Sequence, residues 1–166
     1  MSPSPSEQVA GPRYLTAEAV DVLQGATRVL AGIALQSVDA VDGAVSLPQL
    51  RLLAVLADLG PARSGQVARA LGLDASTVTR LADRMVAAGH VRRGSDPSHR
   101  GVVTLEVTLS GRRLVASVAA WRQRELARIL GRLSPNDRTA VTAALRLLVE
   151  AAGEGHGVVP RLLVPL

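Results

Sequence analysis

Residues 73–107 read LDASTVTRLADRMVAAGHVRRGSDPSHRGVVTLEV. Within this stretch Val78, Leu81, Ala82, Met85 and Val86 fall at i, i+3, i+4, i+7 and i+8, the spacing of a helix with one apolar face. Asp74 is the residue type that caps such a helix, and Gly89 is the type that ends one. The opposite face carries Ser76, Thr77, Thr79, Arg80, Asp83 and Arg84. From Val91 the period changes to two, with Val103, Leu105 and Val107 directed one way and Val102, Thr104 and Glu106 the other, which predicts a strand. Gly94-Ser95-Asp96-Pro97-Ser98 is turn chemistry between that strand and a shorter one at Val91 to Arg93. A helix with a hydroxyl and arginine face, followed by an arginine-rich hairpin, is suited to reading duplex DNA.

The neighbouring segments extend this unit. Ser64 to Leu71 forms a short helix packing Val67, Ala68 and Leu71, and Gly72-Leu73 turns the chain into the helix at Asp74, giving helix-turn-helix order. Upstream, Ser46-Leu47-Pro48-Gln49 has capping-box spacing with Pro in the first turn. The helix it opens buries Leu50, Leu53, Val55 and Leu56 and stops at Gly60-Pro61. Earlier still, Val20, Leu23, Thr27, Leu30, Ala34 and Val41 lay a narrow apolar stripe along a long helix ending near Asp42-Gly43, a stripe that calls for a partner helix. Downstream, Thr108 or Ser110 caps a long helix containing Leu114, Val118, Trp121, Leu126, Ile129, Leu130 and Leu133. Ser134-Pro135 opens a last helix with Val141, Leu145, Leu148 and Val149 as its stripe, closed by Gly153.

The expected fold class is mainly α with a small β-hairpin wing, a winged helix-turn-helix joined to a helical dimerisation domain. Residues 1–14, rich in Ser and Pro, form a disordered arm. Residues 15–45 form a dimerisation helix, 46–108 the winged lobe, 109–153 further dimerisation helices, and 154–166 an apolar tail that docks on the dimer.

Composition narrows the function. The chain has 166 residues and a formal net charge of +5, and all 19 of its basic residues are arginine. Between residues 63 and 100 seven arginines face three aspartates, a net of +4, which leaves twelve arginines against eleven acidic residues, +1, elsewhere. A high-GC genome would explain arginine in place of lysine but not this clustering, and a field that steers a polyanion must be concentrated in this way. The absence of cysteine excludes disulfides, thiolate metal sites and a peroxide-sensing thiol. His90, His99 and His156 share no helical face with one another or with a carboxylate pair, so no metal or other cofactor is expected. No nucleophile elbow, glycine-rich phosphate loop or paired acids in a cleft is recognisable, so no enzyme is expected. The N-terminal MSPSPSEQVAGPR has neither a basic opening nor an apolar core, and no apolar run approaches the ~20 residues of a membrane span, so a cytoplasmic protein with no membrane partner is expected.

The ordered motifs resemble the MarR family of bacterial transcription regulators, over residues 47–114 with compatible helices on both sides. LPQLRLLAVLADLGPARSGQVARALGLDASTVTRLADRMVAAGHVRR resembles the family's second helix, helix-turn-helix and first wing strand, while SDPSHRG and VTLSGRRL resemble its wing tip and the start of its fifth helix. The resemblance implies a homodimer in which the first, fifth and sixth helices of both chains interdigitate. The residues agree, because those stripes exceed what one chain with no Phe and only Trp121 and Tyr14 could cover. The family's wing reads Asp-Pro-x-Asp-Arg-Arg, whereas this chain has Asp96-Pro97-Ser98-His99-Arg100-Gly101. The second Asp, a partner for the wing arginine, is missing, and so is the final arginine.

The candidate DNA-binding residues are Ser64, Gln66, Ser76, Thr77, Thr79, Arg80, Arg84, Arg92, Arg93, His99 and Arg100. Arg80 is placed to grip guanine O6 and N7, with the hydroxyls reaching phosphates or base edges. Arg84 serves as a phosphate contact or as a partner of Asp83 or Asp96. Ser64 and Gln66 stand at a helix N-terminus that favours anions, although Ser64 could equally be a simple cap. Arg63 is either a phosphate contact or plain surface. Arg100 leads wing contact, helped by Arg92 or Arg93, and His99 either gains charge as pH falls or stays a solvated tip residue. Trp121 either packs the helix core or lines a cavity for the small aromatic or anionic effector that the resemblance implies. The expected function is a sequence-specific regulator, a repressor on a pseudo-palindromic operator, released by such an effector. A winged-helix module for an acidic protein surface, or a regulator without ligand, would share most of these features.

Overall fold

The computed structural model describes residues 16–41, 45–96 and 99–153. Its elements run α1 (Ala17–Asp39), α2 (Leu47–Leu59), α3 (Ser64–Leu71), α4 (Ala75–Ala87), β1 (Val91–Asp96), β2 (His99–Val107), α5 (Leu109–Leu130) and α6 (Pro135–Ala152). This is the expected order of helices and hairpin. The chain divides into two compact units inside α1, one up to Gly32 and one from Ile33 onward. In the first unit Val20, Val22, Leu23, Val29 and Leu30 are exposed. The expected arm, the helix end near Asp42-Gly43, the turn residues Pro97 and Ser98, and the tail from 154 lie outside the described residues.

In the second unit the core gathers around α2. Leu50, Leu52, Leu53, Ala54, Val55 and Leu56 are all buried, a wider face than the periodicity predicts, because α2 is packed by α3, α4, α5 and β2 together. Full burial of a Leu side chain is worth about 1.5–3 kcal/mol, so α2 is the lobe's main apolar anchor. Its start is the expected box: the Ser46 amide donates to Gln49 Oε1 at 2.7 Å. Arg51 reaches across to donate to the Leu71 carbonyl at 3.2 Å, satisfying an acceptor that the end of α3 leaves open.

The hairpin differs from expectation in length and in face. Strand β1 runs to Asp96 rather than stopping at Arg93, pairing in register from Val91 opposite Val107 to Ser95 opposite Val103, with an irregularity between Ser95 and Asp96. The alternation of β2 also fails in part: Leu105 and Val107 are buried, but Val103 is 55% exposed while Thr104 is 7% exposed. The inner part of this strand is also held by a backbone bridge that sequence patterning does not reveal. The loop before α3 pairs with β2, Ala62 N donating to Leu105 O at 3.0 Å and Leu105 N to Ala62 O at 2.8 Å. This bridge seals the base of the strand to the lobe, whereas Val103, two residues nearer the tip, extends past the core.

The α4 to β1 turn and the start of α5 are tied together. Gly89 adopts φ 74°, letting the His90 amide reach back to Met85 O at 2.9 Å and close the helix. Thr108, one of the two expected caps, accepts from the Gly111 amide at 3.2 Å and donates its hydroxyl to Gly89 O at 2.8 Å. Gly111 sits so close that a Cβ there would lie 2.3 Å from His90 O and 2.7 Å from a Val107 methyl. Ser110, the other candidate cap, lies instead beside His90 Nδ1 at 3.1 Å.

The last two helices are thinly covered. Helix α5 buries Leu114, Val115 and Val118, while Trp121, Leu126, Ile129 and Leu130 are only half-buried. Helix α6 is capped by Ser134 with Pro135 at its first position, as the sequence predicts, yet among the described residues it buries none of its own. Its expected stripe of Val141, Leu145, Leu148 and Val149 is exposed. No helix among the described residues is long and apolar enough to cross a membrane.

Candidate nucleic-acid interface

Helix α4 buries Val78, Leu81, Ala82 and Met85, with Val86 half-buried, the five positions its spacing singles out. Ser76, Thr79, Arg80, Asp83 and Arg84 are therefore turned outward, and Thr77 is half-buried at the margin. The cap is elaborate. Asp74 accepts from the Thr77 amide at 2.8 Å, from the Thr77 hydroxyl at 2.8 Å and from the Ser76 hydroxyl. These bonds, the one from Ser76 first, hold the Asp74 carboxyl well below its ordinary range even though it is fully exposed. Arg80 Nη2 donates to Thr77 Oγ1 at 3.2 Å, and Thr79 donates to Ala75 O at 2.9 Å. Thr77, Arg80, Leu81 and Arg84 line a shallow depression of about 210 Å³ on this face.

The preceding helix departs from expectation at its start. Its cap position is Arg63, not Ser64, which is the first helical residue. Gln66 closes the turn by accepting from the Arg63 amide at 2.9 Å through Oε1. Arg63, read from the sequence as a phosphate contact or plain surface, also carries the main link to the wing. Its Nε and Nη2 donate to Asp96 Oδ2 at 3.1 and 2.7 Å, and Nη2 lies 3.0 Å from His99 Nδ1. His99 stands where the wing motif has its second Asp, and here it joins Asp96 around the Arg63 guanidinium.

The two strand arginines expected to help the wing are both paired. Arg92 Nη2 lies 2.6 Å from Glu106 Oε2, its cross-strand neighbour. Arg93 bridges to Asp83 on α4. With Asp83 committed to Arg93 and Asp96 to Arg63, neither ion pair expected of Arg84 forms, which leaves Arg84 at the edge of the α4 depression. Such exposed pairs are each worth about 0–1 kcal/mol, so they orient the arginines more than they stabilise the fold. Arg100 belongs to β2, but its side chain lies outside the described residues.

Trp121 is set apart from α4. It is half-buried on α5, next to Arg122, whose Nη2 donates to Ser37 Oγ at 3.1 Å. Ser37 is fully buried and donates its own proton to Ala34 O at 2.6 Å. Burial pulls the Arg122 guanidinium below its ordinary pKa. The Ser37 and Arg122 pairing, 85 residues apart, is invisible to periodicity. Nothing in the local sequence sets Arg122 apart from the other arginines of α5.

Residues 45–100, the segment holding α2, α3, α4 and β1, match the MarR family. RV1404 from Mycobacterium tuberculosis, 31% identical, superposes with a TM-score of 0.77 over 92% of this chain and 100% of its own. The chain belongs to the MarR family. Among curated relatives, the HTH-type transcriptional regulator YfiV of Bacillus subtilis is 28% identical over 107 residues, 64% of this chain and 67% of its own. The HTH-type transcriptional repressor NicR of Pseudomonas putida is 26% identical over 112 residues, 68% of this chain and 71% of its own. As a MarR-family member the chain is a transcriptional regulator with a DNA-binding winged helix.

Proposed function

We propose that this regulator works as a homodimer on a pseudo-palindromic operator, laying the α4 helix of each protomer in successive major grooves about one helical turn apart, with the wing alongside. The observation that carries this reading is α4 itself: one face is core, and the other is an exposed, internally ordered row of hydroxyls and arginines. On this reading Arg80 contacts guanine. Ser64, Gln66, Ser76, Thr77, Thr79 and Arg84 contact bases or backbone at the helix ends, and Arg92, Arg93, His99 and Arg100 serve the wing. Dimerisation is supported by α6, whose residues Val141, Leu145, Leu147, Leu148 and Val149 are exposed among the described residues.

Repression is the favoured regulatory sense, supported by the name of the NicR relative. A small aromatic or anionic effector would act by stabilising a spacing of the two winged lobes that DNA does not fit, a population shift. The half-buried Trp121 and Arg122 supply an aromatic face and a cation toward which such a molecule would be drawn.

Fluorescence anisotropy with duplex from upstream of the protein's own gene tests the reading. The logarithm of the affinity should fall linearly with the logarithm of salt, with a slope of about −0.9 per phosphate contact, and the affinity should exceed that for random duplex. A flat salt response with no preference among duplexes would instead favour a protein-contact module. Thermal shift across phenolic and carboxylate compounds tests the effector, since a ligand of the native state raises the melting temperature.

A further inference from the structure

Arg63 meets the wing through three polar contacts, and one of them can be made only by an uncharged histidine. Its Nε and Nη2 donate to Asp96 Oδ2 at 3.1 and 2.7 Å, while Nη2 also faces His99 Nδ1 at 3.0 Å. A guanidinium has no acceptor, so Nδ1 takes the acceptor role and the neutral ring carries its proton on Nε2. The other carboxylate oxygen, Asp96 Oδ1, lies 3.8 Å from the same Nδ1, just outside hydrogen-bond reach. Arg63 comes from the N-cap of α3 and Asp96 from β1, so the ring on β2 is faced by one cation and one anion from two other elements. In this state the charges of the three side chains sum to zero.

Protonation changes the sum and the bonding together. A proton on Nδ1 opposes the guanidinium donor, and the acceptor at hand is Asp96 Oδ1. Closing that gap takes a movement of about 1 Å and leaves Oδ2 with Arg63, so the link that directs the hairpin persists while the cluster becomes a monocation. The two Nη1 hydrogens of Arg63 and the Nε2 hydrogen of His99 point to neither carboxylate oxygen and remain as donors for a phosphate. The His99 side chain is 63% exposed and that of Arg63 43%, open enough for a DNA backbone to reach both. The wing motif's second Asp at this position would hold the tip negative at any pH near neutrality, whereas a histidine makes its charge a function of pH. We propose that Arg63, Asp96 and His99 form a proton-dependent site for a DNA phosphate, without net charge when His99 is neutral and cationic when it is protonated. This rests on the place of the wing beside DNA proposed above.

Anisotropy with the full chain and duplex from upstream of its own gene, at fixed ionic strength from about pH 8 to about pH 5.5, tests the site. Wild-type affinity should rise by about fivefold per protomer as pH falls, the effect of one added charge beside a phosphate in water. Its salt dependence should steepen by about 0.9 per protomer over the same range. His99→Gln and His99→Asp should each abolish both changes, whereas His90→Gln, which alters the ring beside Ser110, should keep them. In the free chain, the imidazole nitrogen shifts should place the His99 proton on Nε2 at about pH 8 and show mixed tautomers in Arg63→Ala. A rise that survives in His99→Gln, a neutral His99 protonated on Nδ1, or specific wild-type binding indifferent to pH would overturn the proposal. A wild type that prefers its own upstream duplex over random duplex at no pH would overturn the DNA reading and the proposal with it, and because that result is read on the wild type alone, the two failures are distinguishable.

Discussion

At the residue scale, the hydroxyls of α4 are less free than a helical wheel suggests. Ser76, Thr77 and Thr79 all spend their protons inside the helix, on Asp74 or on Ala75 O, and Arg80 is steadied by Thr77. Arg80→Ala should therefore reduce discrimination between operator and random duplex, while Arg100→Ala should weaken both similarly; competition binding against random DNA checks this division. Asp74 also makes α4 sensitive to acid. Its carboxyl titrates lower in the folded chain than its ordinary value of 3.8, so its contribution is fully present above that value and is lost as pH falls through the lower folded value. The melting temperature of Asp74→Ala should lie below that of the wild type at neutral pH, with the gap narrowing in acid below about pH 4. Gly111 offers a steric test instead. A methyl group there meets backbone, not a side chain that could swing aside, so Gly111→Ala should cost about 1–3 kcal/mol in urea unfolding.

At the element scale, the wing is held to the helix-turn-helix at both of its levels. Near the base, the backbone bridge between Ala62 and Leu105 fastens β2 to the loop before α3. Toward the tip, Arg63 reaches Asp96 and His99 from the N-cap of α3. The side-chain link is partly exposed and contributes little to folding, but it fixes the direction in which the hairpin projects. Arg63→Ala and Asp96→Ala should each lower operator affinity, by up to about tenfold, and the double variant should lose scarcely more than either single one. Additive losses in that double-mutant cycle would mean that the two residues act separately. Faster amide exchange in β1 and the outer half of β2 would accompany the loss in affinity.

At the scale of the whole molecule, the distribution of apolar surface sets the expected assembly. Helix α2 buries Leu50 and all of residues 52–56, whereas α6 leaves Val141, Leu145, Leu147, Leu148 and Val149 exposed. Isolated exposed apolar residues are ordinary, but a continuous helical row marks an interaction surface. Replacing Leu145 and Leu148 together by Glu should convert a dimer to a monomer by light scattering. Operator affinity should fall by more than about a hundredfold, since each recognition helix then binds alone without the gain in effective concentration. The winged lobe should keep its fold, because neither residue belongs to its core.

Local sequence determined the elements and most of their ends. The apolar spacing of α4, the caps at Ser46, Asp74 and Ser134 and the stop at Gly89 are signals carried within a turn or two of helix, and the structure has each of them. The outward face of α4 was legible for the same reason, since a helix with one buried side must present the other. What the tertiary structure decided were contacts between residues far apart in the chain: Arg63 with Asp96, Ser37 with Arg122, Arg51 with Leu71, and Ala62 with Leu105. Arg92 with Glu106 and Arg93 with Asp83 are further pairings of this kind, and they commit to acidic partners two arginines that the sequence offers to the wing. Periodicity reports only which side of an element meets the core; which charged or polar group it meets there depends on the packing of elements that the sequence separates by tens of residues.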